Sequence, residues 1–112
     1  MKVLVLGVGA VGTVSALKFS QDAMVEQLVI ADALPGRAQE LADRIGRPHV
    51  RALTLDAGNR ATLAQALRDT GTTILLNAAL PATNLIVMRA CLDASCDYID
   101  MASGGAENDG TP

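Results

Sequence analysis

Three glycines near the N-terminus have the spacing of a phosphate-binding turn. They are Gly7, Gly9 and Gly12, in the segment GVGAVG. In such a turn the first glycine permits a tight bend, the second leaves room for a pyrophosphate, and the third lets a helix pack closely. The start of that helix, at Ala10 and Val11, would offer unpaired N–H groups and a partial positive charge to the phosphates. The pattern therefore predicts a nucleotide phosphate site at residues 7–12.

An acidic and a basic residue follow at the positions expected to face an adenosine ribose. Asp32 ends a predicted strand about 20 residues after the last glycine, where a carboxylate accepts hydrogen bonds from the ribose hydroxyls. Since a carboxylate repels a 2′-phosphate, Asp32 favours NAD. Arg37 lies in the first turn of the next predicted helix, where it would either attract a 2′-phosphate or lie on the surface as a solvated charge. The predicted cofactor is therefore NAD, with NADP kept open by Arg37.

Polar and small residues also follow two further predicted strands. Asp56 comes after the third strand, where it could contact the adenine amino group or cap the next helix. Asn77 ends the fourth strand and could bind a ribose or hold the loop in place. The small side chains of Ala78 and Ala79 leave room for a dinucleotide to cross the sheet edge. Because ligands of such sheets bind outside the carboxyl ends of the strands, all four residues belong to the candidate cofactor site.

An alternation of strands and helices would position these residues. Apolar runs predict strands and amphipathic or apolar spacings predict helices, with short connections between them. This order predicts an α/β fold, a doubly wound parallel sheet of about five strands with helices on both faces, the Rossmann architecture. The predicted strands are Lys2–Leu6, Gln27–Ala31, Val50–Leu55, Thr73–Leu76 and Asp97–Met101, and the predicted helices are Ala10–Gln21, Pro35–Ile45, Asn59–Thr70 and Pro81–Ser95.

The apolar positions of the helices indicate which faces are buried. The fourth predicted helix carries only Arg89 and Asp93 as charged residues, so we expect it to be covered on more than one side. A second domain or another subunit would provide that cover, and a homo-oligomer is expected. The apolar positions are Val11, Val14, Ala16 and Leu17 in the first helix, Ala38, Leu41, Ala42 and Ile45 in the second, and Leu63, Ala66 and Leu67 in the third.

Composition excludes several functional classes. The net charge is -3 without a basic stripe, which argues against nucleic acid as a partner. No apolar run reaches the roughly 18 residues of a membrane span. Cys91 and Cys96 are interpreted as buried thiols of a reducing compartment, so a cytoplasmic location is predicted. No zinc-ligand spacing is present, and the single histidine, His49, is interpreted as structural or surface-exposed.

Three segments carry a resemblance to a known family: MKVLVLGVGAVG, ADALPGRAQELA and LLNAALPATNLIVMRACLDASCDYIDMA. Together they resemble the cofactor-binding domain of the saccharopine dehydrogenase family, over residues 1–103. The resemblance implies an NAD(P)-dependent oxidoreductase that makes or breaks C–N bonds of amino-acid-derived secondary amines through an imine. Tyr98 and Asp100 match the family's fifth-strand motif, near the nicotinamide or the interdomain cleft. Asp100 could equally be a turn former at the strand end.

The expected organisation is a dinucleotide-binding domain at residues 1–103, followed by a polar linker or disordered tail at 104–112. The family's larger catalytic and dimerisation domain has no counterpart in this chain, so no catalytic residue is assigned and the chain alone is not expected to be catalytically competent. Two alternatives stay open. One is a stand-alone NAD-sensing module of the potassium-uptake type, and the other is a Rossmann scaffold that binds no nucleotide. The NAALP segment and the apolar fourth helix favour the enzyme family.

Overall fold

Strands and helices alternate along the whole part of the chain that the computed structural model describes, residues 1–100. The five strands form one sheet in the order β3-β2-β1-β4-β5, and all pairings are parallel. The predicted fold class is confirmed. The predicted tail at 104–112 lies outside the described residues. The elements are β1 (Lys2–Leu6), α1 (Ala10–Gln21), β2 (Gln27–Asp32), α2 (Arg37–Ile45), β3 (Val50–Thr54), α3 (Arg60–Thr70), β4 (Ile74–Asn77), α4 (Asn84–Asp93) and β5 (Asp97–Asp100).

The strand order reverses at β1, in the centre of the sheet. From β1 the chain proceeds through β2 to β3 on one side, then crosses to β4 and β5 on the other. Leu6 at the end of β1 pairs with Ala31 of β2 and with Asn77 of β4. The loops after these three strands therefore start at the same sheet edge. This switch point is where open α/β sheets bind their ligands.

The core consists of two apolar layers, one on each face of the sheet. Along β1, Leu4 and Leu6 belong to one cluster of buried residues, and Val3 and Val5 belong to the other. This alternation follows from the two-residue repeat of a strand. Both faces are apolar because helices cover both, α3 and α4 on the first and α1 and α2 on the second.

Helix α1 lies on the sheet through its smallest residues. Its buried positions are Gly12, Ala16 and Ser20. Of the predicted apolar positions in this helix only Ala16 is buried, because small side chains let the helix approach the sheet closely. The larger ones are exposed: Val11, Val14 and Leu17.

The remaining helix boundaries differ from prediction by a few residues, for local reasons. Helix α2 begins at Arg37 rather than Pro35, because Gly36 adopts the left-handed conformation at φ 86°. Its predicted inner face is confirmed, with Ala38, Leu41 and Ala42 buried. Asn59 is the N-cap of α3, at the predicted start of that helix. Its Oδ1 accepts a hydrogen bond from the Thr62 N–H at 3.0 Å.

Helix α4 presents an apolar outer face. A short 3₁₀ turn at Pro81–Thr83 precedes it, so the α-helix proper is shorter than the predicted 81–95 segment. Val87, Ala90 and Cys91 pack inward. The opposite face is formed by Leu85, Met88 and Leu92, all exposed. Within residues 1–100, no helix is both long and apolar enough to cross a membrane.

Candidate functional site

A cavity of about 470 Å³ opens at the switch point, between the loops that follow β1, β2, β3 and β4. It brings together most of the residues predicted for the cofactor site. Those that line it are Gly7, Gly9, Asp32, Arg37, Asp56, Ala78 and Ala79. The other four predicted residues do not line it: Ala10, Val11, Gly12 and Asn77. The other residues around the cavity are Leu6, Val8, Ala33, Leu34, Leu55, Ala57, Gly58, Leu80, Pro81 and Thr83.

The three glycines of the turn meet two different environments. Gly7 has φ 102°, and a Cβ there would lie 2.9 Å from the carbonyl atoms of Ala78. A Cβ at Gly12 would lie 1.8 Å from the Gly7 carbonyl oxygen. Gly9 differs, because a Cβ there would meet no atom within 4 Å and the residue lines the cavity. The protein's own packing requires glycine at 7 and 12, whereas Gly9 leaves empty space beside the turn.

The N-terminus of α1 starts at this open glycine. Gly9 is the N-cap residue, no side chain caps the helix, and the first turn contains no acidic residue. Ala10 and Val11 form the first exposed positions of the helix. Their N–H groups lie at the positive end of the helix dipole, which stabilises an anion. The turn can therefore accept a phosphate group without competing with a side chain of its own.

Asp32 and Arg37 hold the backbone of Val8 from both sides. The Val8 N–H donates to Oδ1 of Asp32 at 2.9 Å, and Nη2 of Arg37 donates to the Val8 carbonyl oxygen at 2.6 Å. The second carboxylate oxygen of Asp32 accepts from the Leu34 N–H at 3.0 Å. Carboxylate oxygens accept more than one hydrogen bond each, and a guanidinium carries five N–H donors. Both side chains can therefore form further hydrogen bonds to a ligand at the cavity wall.

Asp56 is part of a turn rather than a helix cap. Its Oδ1 accepts from the Gly58 N–H at 2.8 Å, and the cap of α3 is provided by Asn59. Asp56 is exposed and lines the cavity on the β3 side. Of the two roles considered for it, helix capping is wrong. Contact with an adenine stays a prediction.

Asn77 is fully buried and holds the loop after β4. Its Oδ1 accepts from the Ala79 N–H at 3.0 Å, while Nδ2 donates to Asn84 Oδ1 at 2.9 Å and to Tyr98 Oη at 3.2 Å. With 0% of its surface exposed, the side chain does not line the cavity. The loop role is thus the one that the geometry shows.

Burial raises the pKa of Tyr98 to about 12. The hydrogen bond from Asn77 acts in the opposite direction, whereas the hydrogen bond to Asp100 adds to the rise. The hydroxyl therefore stays protonated at neutral pH. It accepts from Asn77 and donates to the Asp100 carboxylate.

Two contributors to this edge of the sheet were not predicted from the sequence. Val8 acts through its backbone N–H and carbonyl, which the residue type does not report. Asn84 was missed although it lies at the start of the helix that follows Asn77, where a polar side chain in an otherwise apolar segment was an available signal.

The remaining reactive side chains lie away from the cavity lining. Cys91 and Cys96 are buried free thiols, as predicted. The hydrogen bond between them, together with burial, raises the pKa of Cys91, and the same bond lowers the pKa of Cys96. His49 precedes β3, at the opposite edge of the sheet. Among the described residues no cluster of three or more His, Cys, Asp or Glu side chains could hold a metal ion.

Known proteins resemble the chain in both sequence and structure. It is 35% identical over 102 residues to carboxyaminopropylagmatine dehydrogenase of Synechocystis sp., with 91% of this chain and 26% of that protein covered. It is 25% identical over 109 residues to carboxynorspermidine synthase of Vibrio alginolyticus, with 89% of this chain and 26% of that protein covered. The chain thus spans about a quarter of the length of these curated relatives.

A solved structure shows the same fold. Apo saccharopine dehydrogenase (L-Glu forming) from Saccharomyces cerevisiae superimposes with a TM-score of 0.74 at 20% sequence identity. The match covers 88% of this chain and 21% of that one. Residues 3–111 match the family described as the saccharopine dehydrogenase NADP binding domain. The chain therefore belongs to the saccharopine dehydrogenase NADP-binding domain family.

Proposed function

We propose that the chain binds NAD or NADP in the cavity at the switch point and serves as the cofactor domain of an oxidoreductase. The observation that carries this proposal is the open position of Gly9. It lies at the positive end of α1, where a Cβ would meet nothing within 4 Å, and it lines the cavity beside Asp32 and Arg37. In this type of fold the pyrophosphate of a dinucleotide lies at the N-terminus of the first helix, and the adenosine ribose lies at the end of the second strand. Both parts of the ligand would therefore contact these residues.

The parent reaction that we propose is hydride transfer at a C–N bond of an amino-acid-derived secondary amine. Family membership supports it, as do the names of both curated relatives, which refer to carboxylated amines. The dinucleotide supplies the hydride chemistry, and this chain would bind and orient it. Family membership also favours this function over the regulatory module of the potassium-uptake type.

Asp32 and Arg37 decide between the two dinucleotides. The Asp32 carboxylate can accept from ribose hydroxyls and repels a 2′-phosphate, which favours NAD. Arg37 lies on the same cavity wall and can pair with a 2′-phosphate, which favours NADP. The first experiment is a calorimetric titration of the chain with NAD and NADP, each oxidised and reduced. Tighter binding of NAD assigns the ribose to Asp32, and tighter binding of NADP assigns the 2′-phosphate to Arg37. No binding of any form would contradict the proposed function.

We also propose that a second domain or a second subunit covers the outer face of α4. The exposed fractions of Leu85 (57%) and Leu92 (78%) are high for leucine on a helix with few charges. Light scattering at high protein concentration tests whether the isolated chain associates through this face. Leu92→Glu should reduce association, whereas Gln65→Glu on the exposed face of α3 should not. A strictly monomeric parent would argue against a homomeric cover.

A further inference from the structure

Three side chains from three different elements form one hydrogen-bonded polar group, in which Asn77 is buried and Asn84 and Tyr98 are half-buried. Asn77 ends β4, Asn84 begins α4, and Tyr98 lies in β5. All three lie outside the cavity lining, and Asn77 is fully buried. We call these residues the Asn77 group.

The orientation of the Asn77 amide is determined by its neighbours. The Ala79 N–H can only donate, so the atom that faces it must be the carbonyl oxygen of the Asn77 side chain. The amide nitrogen is then directed at Asn84 Oδ1 and Tyr98 Oη, and each of its two protons has an acceptor. Removing either acceptor leaves a buried N–H donor without that partner, which costs more than the bond itself contributes.

The Asn77 group holds the loop that separates it from the cavity. Ala78 and Ala79 are that loop, and both line the cavity. The loop also packs against the glycine turn, since the Ala78 N–H donates to the Leu6 carbonyl at 2.8 Å and the Ala78 backbone lies against Gly7. A displaced Asn77 amide would therefore move one wall of the cavity.

That wall lies on the side of the cavity away from the position proposed for the adenosine ribose. Asp32 and Arg37 follow β2, on one side of β1, whereas Ala78 and Ala79 follow β4, on the other side. A dinucleotide with its pyrophosphate on α1 and its adenosine at the end of β2 must extend its nicotinamide half toward β4.

We propose that Asn84 and Tyr98 are positioning residues for the nicotinamide half of the dinucleotide, acting through Asn77 and the Ala78–Ala79 wall. This inference rests on the proposed function. It assigns to the chain a role in orienting the reactive ring as well as in binding the cofactor. It also places that role on residues that do not touch the ligand.

The test compares a whole dinucleotide with a fragment of it. The parent and the variants Asn84→Leu and Tyr98→Phe are titrated with NADH or NADPH, whichever the parent binds more tightly. Each is also titrated with the fragment that lacks the nicotinamide riboside, ADP or 2′-phospho-ADP. Thermal unfolding reports whether each variant folds, and Tyr98→Phe, the smaller change, serves if Asn84→Leu does not fold. The nicotinamide fluorescence of the saturated complex is recorded for each protein.

Thr72→Val is the matched control. It removes a buried hydroxyl that lies 2.6 Å from the Thr70 hydroxyl, just before β4 and so at the opposite edge of the sheet. Its stability loss should resemble that of the test variants, and it should leave the Ala78–Ala79 wall unchanged.

The expected result is a split between the two ligands. Both test variants should bind the dinucleotide about fivefold more weakly, the effect of roughly one hydrogen bond, and bind the fragment as the parent does. Their nicotinamide fluorescence at saturation should also differ from that of the parent, and Thr72→Val should change neither quantity. Equal losses for dinucleotide and fragment, or no loss at all, would overturn the inference while leaving dinucleotide binding established. A parent that binds no dinucleotide would overturn the proposed function and this inference together.

Discussion

The glycine turn lies between two walls of the cavity, and these walls leave different amounts of space beside its glycines. On the β4 side, Ala78 and Ala79 press against Gly7, and the Gly7 carbonyl in turn leaves no space at Gly12. On the β2 side, Asp32 and Arg37 hold only the backbone of Val8, and Gly9 remains open to the cavity. The same residue type is thus required by packing on one side of the turn and leaves open space on the other. The largest effects on stability are expected at the closed wall, and the largest effects on binding at the open wall.

The largest effect is expected at the closed side of the turn. Gly12→Ala places a methyl group 1.8 Å from the Gly7 carbonyl oxygen, so backbone must move. The free energy of unfolding should fall by about 3 kcal/mol or more. Chemical denaturation measures it, with Gly9→Ala as the matched control that should lose less than about 1 kcal/mol. Similar losses for the two alanine variants would remove the distinction between closed and open glycines.

At the open side, a larger substitution should abolish binding without unfolding the protein. Gly9→Val fills the space assigned to the pyrophosphate, so dinucleotide affinity should fall at least about 100-fold, roughly 2.7 kcal/mol. Calorimetric titration measures the affinity, and the thermal midpoint should stay close to that of the parent. Ala23→Val, an exposed substitution beyond the far end of α1, is the control and should bind as the parent does. Parent-like affinity in Gly9→Val would show that the pyrophosphate lies elsewhere.

Asn77, the buried residue that holds the closed wall in place, should make a contribution of intermediate size to stability. Asn77→Ala removes three hydrogen bonds and leaves the Ala79 N–H without its side-chain acceptor. Unfolding free energy should fall by about 2 kcal/mol, mostly from desolvated groups left unpaired. Asn59→Ala, which removes only an exposed helix cap, should cost about 1 kcal/mol in the same denaturation experiment. Equal costs would mean that burial of the Asn77 amide has no energetic consequence.

The smallest effect is a change in selectivity at the open wall. Arg37→Ala should weaken NADP binding about tenfold, because a charge-assisted hydrogen bond to the 2′-phosphate is lost, and should leave NAD binding within about twofold. Arg44→Ala, an exposed arginine in the last turn of α2, is the control. Equal weakening of NAD and NADP would instead assign Arg37 to the support of Val8 alone.

The helices show where sequence periodicity was sufficient and where it was not. In α2 the apolar positions faced the core as predicted, because its other face carries Arg37, Glu40 and Arg44 and only one orientation hides the apolar stripe. In α1 the larger apolar residues face outward, because the glycine turn requires close approach of the helix and the small residues Gly12, Ala16 and Ser20 allow it. The periodicity of the sequence shows that a helix has an apolar face. Which face is buried depends on how closely the helix must pack against the sheet.

The amino-acid sequence by itself determined the alternating elements, the parallel sheet, the glycine turn and the acidic end of β2. These features follow from the types and spacing of residues that are close together in the chain. Only the tertiary structure decided that Asp32 and Arg37 meet on the backbone of Val8, and that Asn77 joins Asn84 and Tyr98. Both decisions depend on which strand ends become neighbours and on how deeply a side chain is buried. Those are properties of the strand order and of packing, and no single segment encodes them.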